Sequence, residues 1–87
     1  MSDLARTLAL AESHLSIDLR RAVAQLTVRQ QQAVLLVHII GMTESEAADA
    51  LDRTQQAVNK SLKSSVQKLQ KIFLTSMVVK NTLRGPY

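Results

Sequence analysis

The chain has 87 residues and a mass of 9.6 kDa, which allows one hydrophobic core but not two. With no cysteine and two well-separated histidines, neither a disulfide framework nor a metal site is expected, and the composition suits a cytoplasmic protein. Two glycines, one proline and 2% aromatic residues favour an all-α domain over a β-sheet. The longest apolar run, residues 33–37, is far too short to span a membrane.

The net charge of +4 is unevenly distributed along the chain. Residues 1–52 contain four arginines and all seven acidic residues, a net charge of −3. Residues 53–87 contain seven basic residues and no acidic residue, a net charge of +7. This segregation predicts a near-neutral body that presents a basic element to a polyanion.

Helical periodicity and capping residues predict a small bundle of four to five helices. Apolar residues at helical spacing predict one or two helices in residues 1–26, with a break near residues 13–16 if there are two. Thr27 and Gln30 have capping-box spacing and open an apolar helix that ends at Gly41. Within it, His38 is expected to be a packed or half-exposed core residue.

A second capping box, Thr43 with Glu46, opens a short helix that ends in a turn at Asp52 and Arg53. Thr54 is then the candidate N-cap of a long helix. Its predicted inward stripe is Val58, Leu62, Val66, Leu69 and Phe73.

A short helix, a tight turn and a second helix together have the spacing of a helix-turn-helix, whose second helix enters the DNA major groove. The outward face of the predicted second helix contains no acidic residue. Gln and Asn can bond adenine bidentately, while Lys can contact guanine or phosphate. The residues expected to contact DNA are Arg53, Thr54, Gln55, Gln56, Asn59, Lys60, Lys63 and Ser64, the two lysines mainly through phosphate.

Residues 26–69, beginning LTVRQQQAVLLVHIIGMTESEAADAL, resemble region 4 of bacterial sigma-70-family sigma factors. This resemblance implies a DNA-binding helix-turn-helix fold over residues 27–73 of a single domain, preceded by N-terminal helices (1–26) and followed by an extension (74–87). The LuxR-type motif is similar but usually one residue shorter before the glycine. The start of the second helix is also similar to that of lambdoid phage repressors, which implies base contacts by Gln55, Gln56 and Lys60.

The chain departs from the region 4 pattern at the turn and along the second helix. Asp52 replaces the usual turn glycine, and Arg53 stands where an aliphatic residue normally packs. We expect the turn to survive, because Asp can adopt left-handed geometry. The arginine-rich end of a sigma recognition helix is reduced to Ser61, Ser64 and Ser65, which argues against sigma-like promoter specificity. We also expect that 87 residues do not form a complete sigma factor.

Apolar residues near the C-terminus predict a protein contact. They are spread around the helix, so they either pack on the N-terminal helix or meet a second chain, and a homodimer would present two recognition helices to two half-sites. These residues are Leu74, Met77, Val78 and Val79, while residues 82–87 are expected to fray.

Two function hypotheses follow. The first is a small transcription regulator that binds double-stranded DNA sequence-specifically, without a cofactor. The alternative is a sigma-like interaction module that binds RNA polymerase, a sigma factor or an anti-sigma protein without contacting DNA bases. An enzyme is not expected, because no nucleophile–base pair, metal-ligand cluster or phosphate-binding loop can be assembled from these residues.

Overall fold

A computed structural model describes residues 3–83, and side chains for residues 3–74. Over residues 3–83 the chain is helical and contains no strand, which confirms the all-α prediction. No helix among the described residues is long and apolar enough to cross a membrane. The helices are α1 (Asp3–Ser13), α2 (Ile17–Ala24), α3 (Val28–Val34, continued by a π-helical segment, Leu35–Ile40), α4 (Glu44–Leu51) and α5 (Gln55–Leu83).

Both predicted capping boxes are present. Thr27 Oγ1 accepts from the Gln30 backbone N–H (3.2 Å), and Gln30 Oε1 accepts from the Thr27 N–H (2.9 Å). The same reciprocal pair joins Thr43 and Glu46, with both distances 3.0 Å. Ser16 caps α2, which confirms the break between the first two helices. Each start is therefore determined by residues within one turn of it.

Two residues in left-handed conformation end the central helices. Gly41 (φ 95°) follows the π-helical segment, and Asp52 (φ 53°) follows α4. At the end of α4, the Arg53 N–H donates to Ala48 O (2.9 Å) and the Asp52 N–H donates to Asp49 O (3.3 Å). These are the two hydrogen bonds of a Schellman motif, so Asp52 takes the position that glycine usually fills.

The π-helical segment alters the geometry expected for the apolar helix. The N–H groups of Gly41 and Met42 both donate to Leu36 O, at 3.1 and 2.9 Å, which closes a wider turn than an α-helix would. His38 lies in this segment and is exposed. The prediction that His38 belongs to the core is wrong, because helical spacing of 3.6 residues per turn does not hold here.

The inward stripe of α5 also differs from the prediction. Val66 and Phe73 are each 40% exposed, whereas Ser65 is fully buried against α3 and Ile72 is half-buried. The buried positions 58, 62 and 65 and the half-buried positions 69 and 72 therefore form the inner line of α5, and Val66 and Phe73 lie off it. The apolar pattern does not reveal Ser65, a polar residue that can be buried because its hydroxyl donates to the backbone carbonyls of Gln30 and Ser61.

The core lies where α5 crosses α3 and α4, with α1 packed on the π-helical segment. This arrangement leaves the first turns of α5 at the surface while its inner face is held by the bundle. The buried apolar residues are Ala11, Leu15, Ala22, Val23, Leu26, Ala33, Val34, Leu35, Leu36, Ala47, Ala48, Val58 and Leu62.

Candidate nucleic-acid interface

Helices α4 and α5 form the predicted helix-turn-helix. Thr54 caps α5, because its Oγ1 accepts from the Ala57 N–H at 3.1 Å. The other free N–H groups of the first turn give this end of the helix a partial positive charge that attracts anions. The start of α5 is thus both exposed and electrostatically suited to phosphate.

Four of the predicted contact residues project freely from this end of α5. The side chains of Gln55, Gln56, Lys60 and Lys63 are exposed. Within the part of the chain that the structure describes, none of the four forms a side-chain hydrogen bond. Their donors and acceptors are therefore available to a ligand.

Asn59 is bound within the protein by a residue that sequence reasoning did not select. Its Nδ2 donates to Oε1 of Glu44 at 2.7 Å, and both side chains are half-buried. Glu44 lies in the first turn of α4, where an acidic residue is favourable for the helix N-terminus alone. The two residues are 15 positions apart, so helical spacing could not pair them; only the helix-turn-helix geometry places the start of α4 beside the start of α5.

Arg53 folds over the first turns of α5. Its Nη1 donates to Ser61 Oγ (3.3 Å) and its Nη2 donates to Ala57 O (3.5 Å), with the side chain half-buried. The guanidinium therefore ties the turn to α5 at the position where the region 4 pattern has an aliphatic residue. Its remaining N–H groups keep the positive charge near the start of the helix.

Ser64 is placed at the inner edge of the interface. Its hydroxyl accepts from Gln30 Nε2 (2.9 Å) and donates to Ser61 O (3.1 Å), so it joins α3 to α5. The side chain is half-buried. DNA contact by Ser64 remains a prediction, and its hydroxyl already forms two hydrogen bonds within the protein.

The charges around the interface are mostly positive. Lys60, Lys63, Lys68 and Lys71 are all exposed on α5, and Glu44 is the acidic residue that lines the depression formed with Thr54, Gln55, Gln56 and Asn59. Glu46 points into its capping box instead, where hydrogen bonds from Thr43, first the backbone N–H and then the side chain, lower its pKa. No group of acidic or histidine side chains suited to a metal occurs among the described residues.

The second half of α5 carries an apolar surface beyond the bundle. Val66, Leu69, Phe73 and Leu74 line an open groove, and Leu74 is 63% exposed. Of the predicted protein-contact residues, Leu74 is at this surface. Met77, Val78 and Val79 lie outside the residues whose side chains are described.

Comparison with known families gave a match to the model described as Sigma-70, region 4, over residues 16–69. This is more than half of the chain, and it includes α2, α3, α4 and the part of α5 that carries the exposed polar cluster. No curated protein and no solved structure matched significantly.

Proposed function

Because the chain belongs to the sigma-70 region 4 family, whose domains are helix-turn-helix DNA-binding modules, we propose that it is a small sequence-specific transcription regulator. The observation that carries the proposal is the polar cluster at the start of α5, where the side chains of Gln55, Gln56, Lys60 and Lys63 are exposed and form no hydrogen bond with any residue that the structure describes. Such a regulator acts in the cytoplasm without a cofactor, by covering a promoter or by helping to recruit polymerase.

Roles within the cluster follow from side-chain chemistry. Gln55 and Gln56 project from the first turn, which in this motif meets base edges, and an amide can bond adenine bidentately. Lys60 and Lys63 are phosphate contacts. Arg53 and Thr54 lie beside the helix N-terminus, where backbone phosphate would be bound, and Ser64 forms the far edge of the same face.

The test is recovery of preferred sites from a randomised duplex library, followed by affinity measurements on the recovered site. Gln56→Ala should lose preference at one or two base positions, while Gln70→Ala, an exposed glutamine further along α5, should retain it. Binding without any base preference in the unaltered protein would overturn sequence-specific regulation.

The apolar surface of α5 supports a homodimer as part of this function. Leu74 and Phe73 are exposed large apolar side chains on the helix that carries the interface, so pairing of two copies there would couple two DNA-binding surfaces. The proposed contact consists of Leu74, Met77, Val78 and Val79. Sedimentation equilibrium should show a dimer that Leu74→Glu dissociates and that Leu10→Glu, an exposed leucine on α1, leaves intact. A monomer at every concentration would contradict it.

One observation favours the alternative, a module that binds RNA polymerase, a sigma factor or an anti-sigma protein. Ser61, Ser64 and Ser65 are hydrogen-bonded inside the fold, so the middle of α5 offers fewer groups to DNA than an arginine-rich helix would. Co-purification with a transcription protein, together with absence of duplex binding at low salt, would favour this function over the first.

A further inference from the structure

We propose that Glu44 is a positioning residue that orients the amide of Asn59 for contact with adenine. This inference rests on the proposed function and concerns the same surface. An acidic residue of α4 would then influence which base α5 prefers.

The hydrogen bond between the two side chains determines which way the amide faces. A carboxylate can only accept, so the Asn59 nitrogen must face Glu44 and its Oδ1 must face away. At 2.7 Å the bond has the length of a charge-assisted hydrogen bond. An unrestrained asparagine would sample both amide orientations, whereas this one is held in one.

The held orientation leaves the adenine-binding edge of the amide free. The nitrogen carries two hydrogens, and when the one anti to Oδ1 is donated to Glu44, the other lies beside Oδ1. That remaining N–H can donate to adenine N7 while Oδ1 accepts from adenine N6. Guanine presents two acceptors, N7 and O6, so the same Oδ1 would face an oxygen. A fixed Asn59 therefore favours adenine over guanine.

Glu44 should also have opposite effects on base preference and on binding to the phosphate backbone. Its carboxylate lines the depression that Thr54, Gln55, Gln56 and Asn59 share, and a negative charge there repels the DNA backbone. Removal of the charge should accordingly strengthen binding to unrelated DNA while it weakens the choice between bases.

The experiment measures the adenine-to-guanine affinity ratio at the base position whose preference Asn59→Ala abolishes. The unaltered protein should prefer adenine by about fivefold or more, in line with a bidentate contact. Glu44→Ala should reduce this ratio towards one, and the double variant should show no further loss. Glu44→Gln, whose amide can accept from the Asn59 nitrogen in one orientation and donate to the Asn59 oxygen in the other, should restore the ratio only in part. Asp49→Ala removes an exposed carboxylate from the same helix and should leave it unchanged.

Other results would overturn the inference. An adenine preference that Asn59→Ala abolishes but Glu44→Ala leaves intact refutes positioning and leaves the proposed function standing. A Glu44→Ala variant that loses preference at every position, with a lowered melting temperature, shows a purely structural residue. No duplex binding by the unaltered protein overturns the proposed function, and this inference with it.

Discussion

Gln30 donates its side-chain Nε2–H to the hydroxyl of Ser64 at 2.9 Å, while its Oε1 completes the capping box of α3. One amide group thus begins α3 and ties that helix to α5. The start of α3 and the packing of α5 on α3 are consequently coupled, because the Gln30 side chain forms one hydrogen bond in each.

Gln30→Ala should destabilise the fold more than loss of the cap alone. Gln30→Ala removes two side-chain hydrogen bonds, the one accepted from the Thr27 N–H and the one donated to Ser64, at about 0.5–1.5 kcal/mol each, so we expect a reduction of about 2 kcal/mol in the free energy of unfolding. Thr27→Ala, which removes only the cap, should cost about 1 kcal/mol. Urea denaturation measures both, with Gln70→Ala as the exposed control; equal losses for the two variants would contradict the coupling.

The two left-handed residues should respond to substitution in opposite directions. Asp52→Gly should raise the free energy of unfolding by about 0.5–1 kcal/mol, because glycine adopts φ 53° without steric cost. Gly41→Ala should lower it by about 1 kcal/mol or more, although a Cβ there meets no atom within 4 Å. Thermal unfolding of both variants tests this; stabilisation by Gly41→Ala would show that φ is not the controlling quantity.

Arg53 should contribute to stability as well as to charge. Arg53→Ala removes the hydrogen bonds to Ser61 Oγ and Ala57 O and should lower the free energy of unfolding by about 0.5–1.5 kcal/mol. Lys60→Ala removes an equal charge from an exposed side chain and should change stability by less than about 0.5 kcal/mol. If the two variants unfold at the same urea concentration, the guanidinium contacts do not stabilise the turn.

The capping carboxylate of Glu46 gives stability a dependence on acid pH. Its pKa is lowered from 4.5 in the folded protein, so ionised Glu46 stabilises the fold above that value. This contribution is lost as the pH falls through the folded pKa. Glu46→Gln should melt below the unaltered protein at neutral pH, and the difference should shrink on acidification below 4.5. A constant difference across this range would exclude the carboxylate as its source.

Phosphate contacts should appear in the salt dependence of DNA binding. Lys60→Ala and Lys63→Ala should each weaken binding to all sequences alike and reduce the slope of log affinity against log salt by about 1. Arg6→Ala, which removes a charge from α1, should leave the slope unchanged. Affinity measured across a salt series distinguishes these outcomes, and unaltered slopes would remove both lysines from the interface.

The sequence was sufficient to predict the helix ends, because residues close together in the chain determine them. Thr27 with Gln30, and Thr43 with Glu46, lie within one turn, and the left-handed residues Gly41 and Asp52 act on their own backbone. The side-chain pairs of the interface could not be predicted, because Glu44 meets Asn59, and Gln30 meets Ser64, only after helices cross. Ser65 was missed for a related reason: its burial depends on acceptors that α3 supplies.

The π-helical segment Leu35–Ile40 is where we expect the chain to tolerate the loss of one residue. Hydrogen bonds that span five residues place more residues in each turn than α-helical bonds do. We expect a one-residue deletion within the segment to restore α-helical turns while the capping box of α3 and Gly41 keep their places. When this chain is aligned with helix-turn-helix sequences that are one residue shorter before the glycine, the gap should therefore fall within residues 35–40 and not in α4 or α5.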